Sequence, residues 1–170
     1  LSIKPHRVAK LSGIGCSSKT PTYFLGNSHG FNSVHGRMPS VLTGANLANR
    51  DLLYLGVSGD GDSASIGIGQ FVHAIRRGVN MVYIVENNGV YGLTKGQYSP
   101  TSEPGKVTKS TPVGSIDEPF NPISLALGAE ASFVARTHDM DRKHMQAMFK
   151  RAHAHKGTSL VEIYQNCNVF

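Results

Sequence analysis

Asp60 and Asn88 are the two side chains of this sequence best suited to holding a cation on a phosphate. Each sits in a polar cluster that closes a hydrophobic run: Gly59-Asp60-Gly61-Asp62 after residues 52–58, and Asn87-Asn88-Gly89 after residues 80–86. The two stand 28 positions apart, the length of one strand–helix–strand unit. Such a unit returns its second strand parallel to the first, so both clusters fall at the same sheet edge, where open α/β sheets bind ligands. Mg²⁺ takes six oxygens at ~2.1 Å. Asp60, Asn88 and the carbonyl of Val90 supply three, and two diphosphate oxygens with a water complete the octahedron. Taken alone, Gly-Asp-Gly-Asp is equally a turn with a helix cap. The second cluster separates the two readings.

The elements that must carry these clusters are legible along the chain. A short strand over 6–12 runs into the small-residue loop Gly13-Ile14-Gly15-Cys16-Ser17-Ser18-Lys19-Thr20-Pro21. Residues 22–39 have no clear period and read as loop, and a modest helix is expected over 40–48 with Ser40 as its cap. After the strand at 52–58, a helix over 63–77 presents Ile68, Phe71, Val72 and Ile75 on one face and ends at Gly78. The run 80–86 is almost continuously apolar, as in a strand covered on both faces. Residues 87–120 carry no regular element; a loop of that length inside a compact domain serves as a ligand-wrapping lid and partner contact. Asn121-Pro122 starts a helix, followed by a strand at 131–136, a helix over 139–155 with Met145, Met148, Phe149 and Ala152 inward, and a strand at 159–164. Alternation of this kind predicts an α/β fold: a doubly wound, mostly parallel sheet with helices on both faces, over 1–170 as one domain.

Composition excludes several classes. With 39% hydrophobic and 16% charged residues the 170-residue chain is globular, and its longest apolar runs are too short to span a membrane. The net charge of +6 suits anionic ligands, but the basic residues are scattered and no nucleic-acid-reading motif accompanies them. Most of them read as solvated surface. Two cysteines are too few for a secreted disulfide framework, so a cytoplasmic setting is expected. Cys16 and Cys167 lie 151 positions apart; composition alone reads them as buried inert thiols, although both follow predicted strands. His144, His153 and His155 form no complete ligand set and read as surface or packing residues.

Gly59-Asp60-Gly61 followed by Asn87-Asn88 resembles the signature of thiamine-diphosphate enzymes. More narrowly, GIGCSSKTP, VHGR, GDGD, NNGVYGLTKGQYSPTS and EIYQNC, in this order, resemble the β subunit of 2-oxoacid:ferredoxin oxidoreductases, across nearly the whole chain. The stretch QYSPTSEPGKVTKSTPVGS is most similar to the 2-oxoglutarate members. The resemblance implies Mg²⁺ ligands at Asp60, Asn88 and the Val90 carbonyl. It implies diphosphate and thiazolium contacts at Ile14, Gly15, Cys16, Ser17, His35, Gly61, Asp62, Gly92 and Leu93, with Thr94 as a further contact. It places Lys19 near the substrate carboxylate, and it makes Cys16 and Cys167 two ligands of a 4Fe–4S cluster. The family draws the other pair from an upstream Cys-x-x-Cys, so the resemblance implies an N-terminal segment and a C-terminal tail outside this sequence. Asn168 stands where many relatives have proline.

The function that the resemblance implies is oxidative decarboxylation of a 2-oxoacid, 2-oxoglutarate first, to the acyl-coenzyme A and CO₂. Electrons pass through the cluster to ferredoxin, or the same reaction runs in reverse. Coenzyme A is the co-substrate. An α subunit is implied as partner, in an αβ heterodimer or its dimer, because the family's activating glutamate lies on that chain. Three alternatives stand beside this: a pyruvate or broad 2-oxoacid enzyme, a non-redox thiamine-diphosphate decarboxylase or synthase fragment, and a non-catalytic Mg²⁺-nucleotide-binding domain.

Overall fold

A computed structural model describes residues 2–170. Six strands form one parallel sheet: β1 (Val8–Ser12), β2 (His29–Asn32), β3 (Leu53–Gly59), β4 (Met81–Asn87), β7 (Phe133–His138) and β8 (Thr158–Tyr164). Their order is β2-β1-β3-β4-β8-β7, and every pairing is parallel. The chain leaves β1 toward β2 on one side and reaches β3 on the other, so the winding reverses at β1. The ligand crevice of an open sheet belongs beside that reversal, beyond the carboxyl ends of the strands.

Helices cover both faces, as the alternation predicts. On one face α2 (Met38–Ala48), α3 (Ile68–Arg77) and α4 (Pro122–Gly128) bury Met38, Leu42, Phe71, Ala74 and Ala126 against Leu11, Tyr83 and Leu160. On the other, α5 (Arg142–Ala154) lays Met145, Met148, Phe149 and Ala152 on Val82, Ile84, Val161 and Ile163. β4 is buried at all seven positions, which explains its unbroken apolar run. Among the described residues no helix is long and apolar enough to cross a membrane.

Several local expectations change. A short helix α1 (Thr20–Phe24) and the edge strand β2 occupy the segment read as loop. α2 begins at Met38 rather than after Ser40; Arg37 precedes it without a side-chain cap, and the helix has a proline in its first turn. The helix after β3 opens instead with one π turn, Asp62–Ile66, closed by Gly67 N donating to Asp62 O at 3.0 Å, before α3 takes over. The long loop after β4 contains a two-residue hairpin, β5 (Val90–Tyr91) with β6 (Gln97–Tyr98). Asn121 caps α4 as expected, its Oδ1 accepting from Ile123 N and Ser124 N. Lys10 is not solvated: it is buried on β1, and its ammonium donates to the carbonyls of Pro21 and Leu25 at the end of α1.

Candidate active site

Beyond the carboxyl ends of β1, β3 and β4 lies a cavity of about 220 Å³. Its wall holds Ile14, Gly15, Cys16 and Ser17 from the loop after β1, and Asp60, Gly61 and Asp62 from the turn after β3. His35 joins them, and Asn88, Val90, Gly92, Leu93 and Thr94 close it from the loop after β4. These are the residues expected from the sequence, gathered at one place. Lys19 stands apart, exposed at the end of the 3₁₀ turn Cys16–Lys19 and outside the cavity wall.

Asp60 is almost completely buried. Its Oδ1 accepts from Asn88 N at 3.3 Å, so the two clusters touch, while Oδ2 accepts from the hydroxyls of Ser99 at 2.5 Å and Thr101 at 2.6 Å. Asn88 Oδ1 accepts from Val90 N at 3.1 Å in a local turn that brings Val90 beside Asp60. One carboxylate, one carboxamide and one backbone carbonyl form the all-oxygen set that Mg²⁺ prefers. Among the described residues no group of three or more His, Cys, Asp or Glu side chains could hold a metal.

Asp62 has a different task. Oδ1 accepts from Gly36 N at 2.8 Å and Ile14 N at 3.2 Å, Oδ2 accepts from Ser58, and His35 Nδ1 lies against Oδ1. One buried carboxylate thus ties together the loops after β1 and β2 and the turn after β3. The His35 contact is close but not aligned as a hydrogen bond, and Nδ1 is left without a bonded partner, as is the buried Ser17 Oγ. Buried polar atoms are nearly always paired. His35 Nδ1 is held against the Asp62 carboxylate, which leaves Ser17 Oγ as the atom in this wall that an anionic ligand would satisfy.

Four lining residues went unassigned in the sequence: Gly59, Glu86, Tyr91 and Gln165. Tyr91 donates to Gly61 O at 2.9 Å, and its ring fills the space a side chain on Gly61 would need. That contact gives the Gly-Asp-Gly triplet a reason for its second glycine. Burial pushes the Tyr91 hydroxyl pKa up, with the Asp60 and Asp62 charges acting in the same direction. Burial also raises Glu86, against hydrogen bonds from Thr20 and Gln165. The apolar run of β4 concealed Glu86, and its partner Thr20 is 66 positions away.

Both cysteines are free. A side chain built on Gly92 would meet Cys16 Sγ at 3.1 Å and Cys167 Sγ at 4.0 Å. The sulfurs therefore converge over one α-carbon in the cavity wall, and neither thiol is buried as composition alone suggests, Cys16 being exposed and Cys167 half-buried.

The family model for the thiamine pyrophosphate enzyme C-terminal TPP binding domain matches residues 13–163. The chain is 53% identical over 170 residues to the 2-oxoglutarate oxidoreductase subunit KorB of Mycobacterium tuberculosis, covering all of this chain and 45% of that one. It is 44% identical to the 2-oxoacid:ferredoxin oxidoreductase subunit beta of Saccharolobus solfataricus, again over the whole chain and 56% of the relative. It thus spans about half the length of the curated relatives it matches. Among solved structures, a 2-oxoglutarate:ferredoxin oxidoreductase from Magnetococcus marinus with 2-oxoglutarate, coenzyme A and succinyl-CoA bound superposes with a TM-score of 0.96 at 42% identity, over 100% of this chain and 58% of that chain. A thiamine diphosphate-dependent 4-hydroxybenzoylformate decarboxylase from Rhodococcus jostii, at 22% identity and TM-score 0.66, shares the fold.

Proposed function

The chain belongs to the thiamine pyrophosphate enzymes as a C-terminal TPP-binding domain, and on that premise we propose that it is the diphosphate-binding half of a 2-oxoacid:ferredoxin oxidoreductase acting on 2-oxoglutarate. The observation that carries the redox assignment is the convergence of Cys16 and Cys167 on Gly92, in the wall of the cavity that holds Asp60 and Asn88. A non-redox thiamine-diphosphate enzyme has no use for two thiols at that place.

Thiamine diphosphate, when bound, would supply the nucleophile and electron sink that decarboxylation of a 2-oxoacid needs. Asp60, Asn88 and the Val90 carbonyl would hold a Mg²⁺ ion for its diphosphate. Ser17 Oγ, unpaired in the protein, would bond the anionic end beside Ile14, Gly15, His35 and Gly61 of the same wall, with Asp62 holding His35 and the Ile14 amide in place. Gly92, Leu93 and Thr94 close over the ring. Lys19, exposed beside that wall, offers a point charge to the substrate carboxylate. Cys16 and Cys167 would supply two of the four thiolates a 4Fe–4S cluster needs, the others coming from elsewhere in the assembled protein. Such a cluster would supply one-electron transfer toward ferredoxin, with coenzyme A as the acyl acceptor.

In the family this chain resembles, the glutamate that activates the cofactor's aminopyrimidine lies on a partner chain, and we assign that role to an α subunit that completes the site. Two unpaired thiols suit a reducing cytoplasm. The test is coenzyme A-dependent reduction of a viologen dye by the assembled complex, with 2-oxoglutarate and pyruvate compared as substrates. Faster turnover of 2-oxoglutarate is expected. Turnover of neither would end the assignment, and a preference for pyruvate would change the substrate.

A further inference from the structure

Glu162, on β8, is completely buried and has two partners. Its Oε2 accepts from Arg136 Nε at 2.6 Å, and its Oε1 accepts from Asn87 Nδ2 at 2.9 Å. Sheet register makes both contacts. Arg136 is the direct neighbour of Glu162 across β7 and β8, and Asn87 lies two residues past Val85, its neighbour on β4. A carboxylate paired with a guanidinium only accepts hydrogen bonds. Asn87 therefore has one orientation: its NH₂ faces Glu162 and its carbonyl faces away. There the carbonyl accepts from Gly89 N at 3.3 Å and lies 3.0 Å from Thr101 Oγ1.

Thr101 has one hydroxyl proton and three oxygens near it, the third being Ser99 Oγ at 3.0 Å. Its oxygen is 2.6 Å from Asp60 Oδ2 and 3.0 Å from Asn87 Oδ1. Asp60 Oδ2 already accepts from Ser99, and Oδ1 from Asn88 N. While Thr101 also donates to Asp60, three of the carboxylate's roughly four acceptor positions are taken, and its Oδ2 has none left for a cation. We propose that Glu162 is a positioning residue for the cation site: by fixing the Asn87 carbonyl toward Thr101, it provides the acceptor to which the Thr101 proton turns when a cation takes Asp60. Arg136 belongs to the same device. Its guanidinium lies 4.6 Å from the centre of the Tyr164 ring and donates to Asn121 Oδ1 at 3.3 Å, which holds the Glu162 carboxylate in place. This role for Glu162 rests on the proposed role of Asp60 as a Mg²⁺ ligand.

The experiment measures the Mg²⁺ dependence of thiamine diphosphate binding by calorimetry on the assembled full-length protein. Mn²⁺ binding followed by electron paramagnetic resonance gives a readout independent of turnover. In Glu162→Gln the new amide keeps an acceptor for Arg136 and turns an NH₂ toward Asn87. Asn87 must then flip, presenting its own NH₂ to Thr101 and leaving Asp60 and Ser99 Oγ as the acceptors for the Thr101 proton. Cation affinity about tenfold weaker is expected, the size typical of losing an outer partner of a metal ligand. Adding Asn87→Asp restores an acceptor both toward the amide introduced at position 162 and toward Thr101, so the double variant recovers most of the loss. In a Thr101→Val background the Thr101 proton no longer competes for Asp60, and Glu162→Gln then changes affinity by less than about twofold.

An affinity in Glu162→Gln equal to wild type overturns the inference, as does a loss that Asn87→Asp fails to repair or that persists in Thr101→Val. Tighter cation binding in Asn87→Asp alone also overturns it, because added charge would then explain the repair. Should Glu162→Gln not fold, Thr101→Val decides: it must bind the cation no more weakly than wild type. Wild-type protein that binds no thiamine diphosphate would overturn the functional assignment itself, whereas normal wild-type binding with an indifferent Glu162→Gln removes only this inference.

Discussion

Cys16 and Cys167, 151 positions apart in the sequence, present their sulfurs to the same face of Gly92. Their strands are not neighbours, since β3 and β4 lie between β1 and β8. The loop after β4 closes the gap, and it can do so because position 92 carries no side chain. Cys167→Ser in the complete complex is therefore expected to lose iron and sulfide after anaerobic reconstitution, together with the visible absorbance of the cluster. Thiamine diphosphate binding should be retained, because Cys167 is outside the cavity wall. Unchanged iron content would remove the cluster assignment.

Asp60→Ala removes the one carboxylate of the proposed cation set. Thiamine diphosphate binding at fixed Mg²⁺ should weaken by more than about 100-fold, beyond the range seen for outer partners of a metal ligand. Titration of the cofactor with and without Mg²⁺ checks this, and binding indifferent to the substitution would count against the site.

Gly61→Ala places a methyl group where the Tyr91 ring packs. The ring must move, and its hydrogen bond to the Gly61 carbonyl goes with it. Overpacking of this kind costs about 1–3 kcal/mol, readable in denaturant unfolding of the apoprotein. Tyr91→Phe, which keeps the packing and loses only the bond, should cost about 1 kcal/mol.

Glu86 gives a pH-dependent prediction. Its folded pKa is raised from the ordinary value of 4.5, chiefly by burial. Stability from this group is fully present below about 4.5 and is lost as pH rises through the raised folded value, because the ionised form is the one that burial disfavours. Glu86→Gln has no charge to bury and keeps an acceptor for Thr20. Its stability relative to wild type should stay constant below pH 4.5, increase above it, and level off once wild-type Glu86 is fully ionised. Denaturant midpoints measured across that window check the sign, and a difference that shrinks with rising pH would contradict it.

The sheet was legible because its central strands are long apolar runs, and the cation cluster because Asp60 and Asn88 each end one. β2 was not legible. All four of its residues are exposed, so no hydrophobic pattern marks His29–Asn32 as a strand. α1 has five residues, too few for a helical period. The π turn at Asp62–Ile66 has the composition of an ordinary helix start, and only its long-range bonds to Ile14 and Gly36 distinguish it. Glu162 was hidden for a related reason. In the sequence it is one polar residue within an apolar strand, and its meaning depends on the register that places Arg136 and Asn87 on either side.

The bare α-carbon of Gly92 also bears on electron flow. A cluster seated on the two sulfurs and a cofactor seated in the cavity would be separated there by little more than one backbone unit. A side chain at position 92 would press on Cys16 Sγ, 3.1 Å from its β-carbon, as well as crowd the pocket. If both groups are seated as proposed, the residue that gives them room would also set how far an electron must jump between them.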